Sequence, residues 1–193
     1  MNSNILICVI GPSGCGKTMR VKNYVKKYPR SANIIVGDTT RPKREDEIDG
    51  VEYNFVNTFS ISEYIESVTY NNYLYGVSKE EFERKTKNAP ITFFVCDSEG
   101  YNLLRTNYPN TYGIYIKAYS LDCIKNLMVR ERNEEKVKNR VFYDASINAY
   151  SLDEFMTFDV VIKKNESWEA FDESFENAVN YCLTIQASKE TNR

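Results

Sequence analysis

The run Gly11-Pro12-Ser13-Gly14-Cys15-Gly16-Lys17-Thr18 constrains this chain more than any other stretch. It follows the apolar residues Ile5 to Ile10, which read as a fully buried strand, and precedes Met19 to Tyr28, which lacks Gly and Pro and reads as a helix. Strand, loop and helix around G-x-x-x-x-G-K-T are the setting of a phosphate-binding loop. Its glycines let backbone N–H groups turn inward and approach an anion closely. The helix that follows aims the positive end of its dipole at the same point. Lys17 supplies a mobile charge for β- and γ-phosphates, and the Thr18 hydroxyl can ligate Mg²⁺. Gly11, Ser13, Gly14, Cys15, Gly16, Lys17 and Thr18 are therefore the candidate binding residues for a nucleoside triphosphate.

A length of 193 residues suits one α/β domain with small inserted elements, and 42% hydrophobic residues are enough for a sizeable core. The net charge of -2 gives no global pull toward nucleic acid or an anionic membrane, so a phosphate site must rest on a local cluster of basic residues. The five cysteines form no C-x-x-C pair and their number is odd, a pattern of reducing compartments. Cys8, Cys96 and Cys182 sit in apolar segments and are expected to be buried; Cys15, inside the loop, is expected to be an exposed neutral filler. No signal peptide and no apolar run long enough to span a bilayer is present, so a cytoplasmic location is expected. The chain has no histidine. That removes Ser-His-Asp and Cys-His catalysis and His-ligated zinc, but not phosphoryl transfer, which needs positioning and positive charge more than acid–base chemistry.

Further along, Asn33 to Gly37 reads as a short strand, and Val51 to Val56 alternates as a half-buried strand should. Phe59 to Ser67 reads as a short helix ending in Tyr64-Ile65-Glu66. Ser78 to Asn88 is a charged helix, with Ser78 and Glu81 spaced as a capping box. Ile91 to Cys96 is a buried strand ending at Asp97, where a nucleotide-binding α/β protein places an acid near the metal and phosphates. Ser98 to Asn107 is helical, Thr111 to Lys117 a strand, and Ser120 opens a helix that ends in the charged run Arg130 to Lys136. A further helix carries Arg140, Phe158 to Lys163 is the last strand, Ser167 to Ser188 is a closing helix and the tail from Lys189 is frayed. Arg132 and Lys138 read as helix-surface charges, and the tyrosines between 64 and 75 as wall and packing residues.

Between the phosphate loop and the first charged helix lies Asp38-Thr39-Thr40-Arg41-Pro42-Lys43-Arg44, followed by Glu47, Gly50, Tyr53 and Phe55. On charge alone Arg41, Lys43 and Arg44 would be a solvated loop. Taken with the phosphate loop, the spacing of Arg41, Arg44, Glu47 and Tyr53 resembles the guanylate kinase family. The resemblance continues through Tyr64-Ile65-Glu66 and Asn72-Tyr73-Leu74-Tyr75-Gly76-Val77-Ser78, covers nearly the whole chain, and weakens after Asp97.

The resemblance implies a three-layer α/β fold of the P-loop NTPase type with a mostly parallel sheet. It further implies one domain, 1–193, with a core of 1–37 and 79–193, an acceptor-binding insertion near 38–78 and a lid near 130–140. It implies a nucleoside monophosphate kinase, a guanylate kinase moving the γ-phosphoryl group of ATP to GMP with Mg²⁺ held at Thr18. Its partners would be small-molecule nucleotides, with no nucleic acid or membrane partner and a monomeric or dimeric state. Lys17, Arg41, Arg44, Arg130 and Arg140 would be the catalytic cations. Arg41, Arg44, Glu47, Tyr53, Glu66, Tyr75 and Asp97 would bind the acceptor, with Arg41, Arg44 and the Tyr53 and Tyr75 hydroxyls on its phosphate and Glu66 on guanine N1–H and N2. In the family an aspartate at the position of Asp97 contacts the acceptor rather than the metal.

Three departures from the family pattern stand out. Gly37 replaces a serine that reads guanine O6, Val77 replaces a hydroxylated residue, and Val95 replaces an acid two positions before Asp97. Asp38 offers an acceptor beside Gly37 that would favour a base presenting an amino group. The alternatives are a kinase of this fold with another acceptor, and a non-catalytic interaction module; the intact loop and both lid arginines argue against the latter. Asp97-Ser98-Glu99-Gly100 also fits the D-x-x-G of switch GTPases, but no Asn-Lys-x-Asp follows.

Overall fold

The structure, a computed structural model, describes residues 4–45, 47–70, 72–131, 133–164 and 167–191. Arg132 and the tail beyond 191 lie outside the described residues.

Strand β1, Ile5–Ile10, is buried along its whole length because it lies at the centre of a parallel sheet covered on both faces. Successive side chains of a strand point to opposite faces. Ile5, Ile7 and Val9 accordingly join one core, with Val21 and Tyr24 of α1 (Lys17–Lys27) and Phe171, Phe175 and Val179 of α6 (Trp168–Thr191). Leu6, Cys8 and Ile10 join the other, with Phe82 of α2 (Lys79–Asn88) and Tyr101 and Leu104 of α3 (Ser98–Asn107). The result is three layers, as expected. The sheet runs β2–β7–β1–β8–β9, with β2 at Ala32–Ile34, β7 at Ile91–Val95, β8 at Thr111–Lys117 and β9 at Val160–Lys163, and every pairing is parallel. The phosphate loop leaves the C-terminal end of the central strand, the edge at which open α/β sheets hold ligands.

Residues 38–78 build a second sheet, ordered β4–β3–β6–β5, from β3 (Asp38–Thr39), β4 (Asn54–Phe55), β5 (Tyr64–Tyr70) and β6 (Tyr73–Ser78). Two expectations are corrected here. Only Asn54 and Phe55 of the alternating run Val51 to Val56 pair with a neighbouring strand; Gly50 turns at φ 78° and donates its N–H to Tyr53 O at 2.9 Å. Tyr64-Ile65-Glu66 is strand rather than helix end, because β5 pairs antiparallel with β6 and leaves only a short 3-10 turn at Ile61–Glu63. A bulge between Tyr64 and Glu66 re-aims the strand at the carboxylate that matters below. The capping box is half formed: Ser78 Oγ accepts the Glu81 N–H at 3.3 Å, but the Glu81 carboxylate turns to Val36 N–H and Arg84.

Helix α4 (Ser120–Arg130) and helix α5 (Glu134–Ser146) carry the helical lid, and Asn133 caps α5 by accepting the Lys136 N–H at 3.1 Å. Among the described residues no helix is long and apolar enough to cross a membrane.

Candidate active site

Gly11 and Gly14 have φ of 149° and 82°, and each lies against main chain. A Cβ on Gly11 would come within 2.6 Å of Ile116 O, and one on Gly14 within 2.5 Å of Cys123 O. Glycine is thus required twice over, by conformation and by space. Gly16, also left-handed, starts α1 at Lys17, two residues before the helix expected from Met19. Lys17 folds back on the loop, with Nζ 2.6 Å from Gly11 O and 2.9 Å from Pro12 O. Cys15 is fully buried rather than exposed, and burial raises its thiol pKa, so it is inert filler beneath the loop. Thr18 is exposed on the first turn of α1.

An acid from the lid occupies the mouth of this loop. Asp144 of α5, 4% exposed, accepts the Ser13 N–H at 2.8 Å on one carboxylate oxygen and the Ser13 hydroxyl at 3.2 Å on the other. Burial raises its pKa, opposed by the Ser13 hydrogen bonds and by Lys17.

The arginines gather across the cleft. Arg41, 9% exposed, gives both terminal nitrogens to Glu47, at 2.7 and 2.6 Å, and its guanidinium lies 5.4 and 5.3 Å from the ring centres of Tyr53 and Phe55. Glu47 also accepts the Arg44 N–H at 2.9 Å. Burial works against the Glu47 charge, but the bonds from Arg41 and Arg44 outweigh it and hold its pKa below the ordinary value. Glu131, the residue after α4 and 7% exposed, points one oxygen, Oε1, at three guanidinium groups. Arg44 is 2.7 Å away, Arg140 3.6 Å and Arg130 4.0 Å. Burial and the adjacent Arg140 lower the Arg130 pKa. Tyr53 and Tyr75 close this side, with ring centres 5.6 Å apart.

Glu66 also lines the cleft. Its carboxylate abuts Gly100 in the first turn of α3, so closely that a Cβ there would collide with Oε2. That oxygen is buried without a hydrogen-bond partner, and desolvation, aided by the neighbouring Asp97, pushes the Glu66 pKa up to about 8. Asp97 caps α3 through the Gly100 N–H at 2.9 Å and faces Tyr143 of the lid, which places it on the Glu66 side of the cleft. Val77, 1% exposed, pairs with Glu66 across β5 and β6. Gly37 has a packing reason: a Cβ would stand 3.0 Å from Gly76 O, so a serine there would displace the neighbouring strand. Asp38 is no free acceptor. Asn54 Nδ2 and the Tyr64 hydroxyl donate to its two oxygens at 2.7 and 2.6 Å, and it ties β3 to β4 and β5.

Every candidate residue except Cys15 lines one cleft of about 1010 Å³. Sequence reasoning missed Glu131, Tyr143 and Asp144. Asp144 lies one helical turn beyond Arg140, the one signal that could have found it; its contact with Ser13 spans 131 residues. Among the described residues no cluster of three or more acids, cysteines or histidines could cage a metal ion. The donor set, a Thr18 hydroxyl beside a phosphate loop, suits Mg²⁺, which keeps most of its waters and leans on substrate phosphates.

Comparison with known proteins agrees with this geometry. The guanylate kinase family profile matches residues 3–180. Guanylate kinase of Helicobacter pylori (strain J99) is 31% identical over 160 residues, covering 78% of this chain and 74% of that protein. Guanylate kinase of Mycoplasma genitalium is 28% identical over 162 residues, covering 80% and 68%. The fold matches the crystal structure of guanylate kinase from Anaplasma phagocytophilum with a TM-score of 0.59 at 22% identity, over 92% of this chain and 84% of that one. With the loop, the arginine cluster and the acids Glu66 and Asp97 on one cleft, the chain belongs to the guanylate kinase family.

Proposed function

We propose that this protein is a guanylate kinase, moving the γ-phosphoryl group of ATP directly to the phosphate of GMP to give ADP and GDP. One observation carries the reading: a phosphate loop with Lys17, the guanidinium groups of Arg44, Arg130 and Arg140, and Glu66, whose Oε2 is buried without a hydrogen-bond partner, all line one cleft. Residues 38–78 serve as the acceptor-binding insertion and 130–140 as the lid of one domain.

A phosphoryl group in transfer spreads negative charge over its oxygens, and catalysis is chiefly positioning and cationic stabilisation. Lys17 leaves the Gly11 and Pro12 carbonyls for the β- and γ-phosphates. Arg44 holds the acceptor phosphate with the Tyr53 and Tyr75 hydroxyls, while Arg41, locked to Glu47, braces the wall behind them. Arg130 and Arg140 meet the charge in flight, and lid closure excludes water that would otherwise take the phosphoryl group. Thr18 would hold Mg²⁺, which would supply positive charge to the ATP phosphates. Glu66, ionised, accepts guanine N1–H and the N2 amine together; adenine has neither donor and would leave the carboxylate unpaired. Asp97 supports the same end.

Gly37 and Val77 favour a second reading of the acceptor, a related kinase with looser base choice, since two hydroxyls of the family pattern are absent. Chromatographic detection of ADP and GDP in equal amounts from ATP, Mg²⁺ and GMP, abolished in Lys17→Ala, tests the first reading; ATP loss without GDP would reject it.

A further inference from the structure

Two carboxylates of the lid stand where anions of substrate must bind. Asp144 receives both the N–H and the hydroxyl of Ser13 at 2.8 and 3.2 Å, inside the loop whose N–H groups are aimed at phosphate. Glu131 sits among Arg44, Arg140 and Arg130 at 2.7, 3.6 and 4.0 Å. Both carboxylates are buried, at 4% and 7% exposure. They belong to one segment, the end of α4 and the body of α5.

We propose that the lid carries its own anions into both phosphate positions, Asp144 in the loop and Glu131 among the arginines, so that each substrate phosphate enters by exchange with a carboxylate of the chain. The proposal rests on the reading of the cleft as a phosphoryl-transfer site.

Three features make the exchange physically reasonable. An empty phosphate loop and a bare arginine cluster are unfavourable, the first for unsatisfied N–H groups and the second for like-charge repulsion, and a carboxylate relieves each. The Glu131 hold is loose: Oε1 makes no aligned hydrogen bond despite three cations within 4.0 Å. A phosphate, with more oxygens for the same cations, can align with several at once. Finally, Asp144 lies four residues beyond Arg140 on α5, so both project from one face of the helix. The carboxylate in the loop and one guanidinium of the arginine cluster thus reach their separate phosphate positions from one helix.

The test is calorimetric titration of the full chain with magnesium and a non-hydrolysable ATP analogue, and separately with GMP, in the native protein, Asp144→Asn and Glu131→Gln. Asparagine keeps an oxygen for the Ser13 N–H, turns the second contact into an amide N–H that can donate to the Ser13 hydroxyl, and removes the charge. Asp144→Asn should bind the ATP analogue roughly fivefold tighter, the order of the difference between a charge-assisted and a neutral hydrogen bond, with GMP affinity unchanged. Glu131→Gln should show the converse. A merely structural tie would weaken both ligands in either variant, and that result, or no tightening, overturns the proposal. In the native chain, the ¹³C resonance of the Asp144 carboxyl should shift on saturation with the analogue; an unmoved resonance would also overturn it, whatever the variants do. Inorganic pyrophosphate separates the two readings. If the variants hold it more tightly but no nucleotide binds, the exchange stands and the kinase reading fails. If the native protein phosphorylates GMP but neither variant gains affinity, the reverse holds.

Discussion

Arg41 and Glu47 form a two-pronged ion pair, at 2.7 and 2.6 Å, in the wall of the cleft, with both residues less than a tenth exposed. Removing one partner leaves a buried charge unpaired. Arg41→Ala should therefore lower unfolding stability by about 3–5 kcal/mol, whereas Arg41→Met with Glu47→Leu should recover most of it. The Glu47 pKa lies below its ordinary value, so the stability it contributes is present above that value and lost as pH falls through the lowered one. Urea titrations of the single and double variants check this. A stable Arg41→Ala whose only defect is a raised GMP KM would show that Arg41 belongs to the substrate rather than to the wall.

Glu66 titrates in the opposite direction. Its folded pKa of about 8 lies above the ordinary 4.5, so the unfolded chain gives up this proton first. The contribution to stability is complete below about 4.5 and is lost as pH rises through about 8. Glu66→Gln should remove that slope. Guanine binding requires the ionised form, so GMP should expel close to one proton at neutral pH, fading as pH passes about 8. Calorimetry in buffers of different ionisation enthalpy measures this; proton uptake, or none, would contradict the assignment of Glu66 to the base.

Val77→Thr places a hydroxyl beside Glu66 with little change of shape. Restoring one hydrogen bond to the base should tighten GMP by about 1 kcal/mol, roughly fivefold in KM, and leave the ATP KM unchanged. Equal effects on other nucleoside monophosphates would show that position 77 does not read the base.

On the proposed mechanism Lys17 and Arg130 face the transferred group, and Arg44 the acceptor phosphate. Lys17→Ala or Arg130→Ala should lower kcat by roughly 10²–10³-fold. Arg44→Ala should raise the GMP KM by roughly tenfold or more. Steady-state kinetics with both substrates varied separates these. A kcat unchanged in Arg130→Ala would remove it from the chemistry.

Most of the scaffold was legible because local rules decide it. The apolar run from Ile5, the phosphate loop and the helix at Ser98–Asn107 follow from local pattern alone, whereas the capping of that helix by Asp97 emerged only from the fold. The misreadings lie where tertiary pairing overrides local signal. Tyr64 to Glu66 became strand because β6 offered a partner, and Asp38 was taken by Asn54 and Tyr64, neither of which any spacing links to it. Cys15 is buried because the loop wraps over it, a geometry invisible in a run of glycines. Glu131 and Asp144 carry no motif; only the fold brings Glu131 to Arg44 and Asp144 to Ser13.

The most direct test is kcat/KM for ATP, Mg²⁺ and a panel of nucleoside monophosphates in a coupled ADP-release assay. The account expects rapid turnover with GMP or dGMP and little with AMP, CMP or UMP, despite Gly37 and Val77. Turnover led by another monophosphate would reassign the acceptor, and no turnover with any of them, in a chain that binds ATP, would contradict the kinase reading itself.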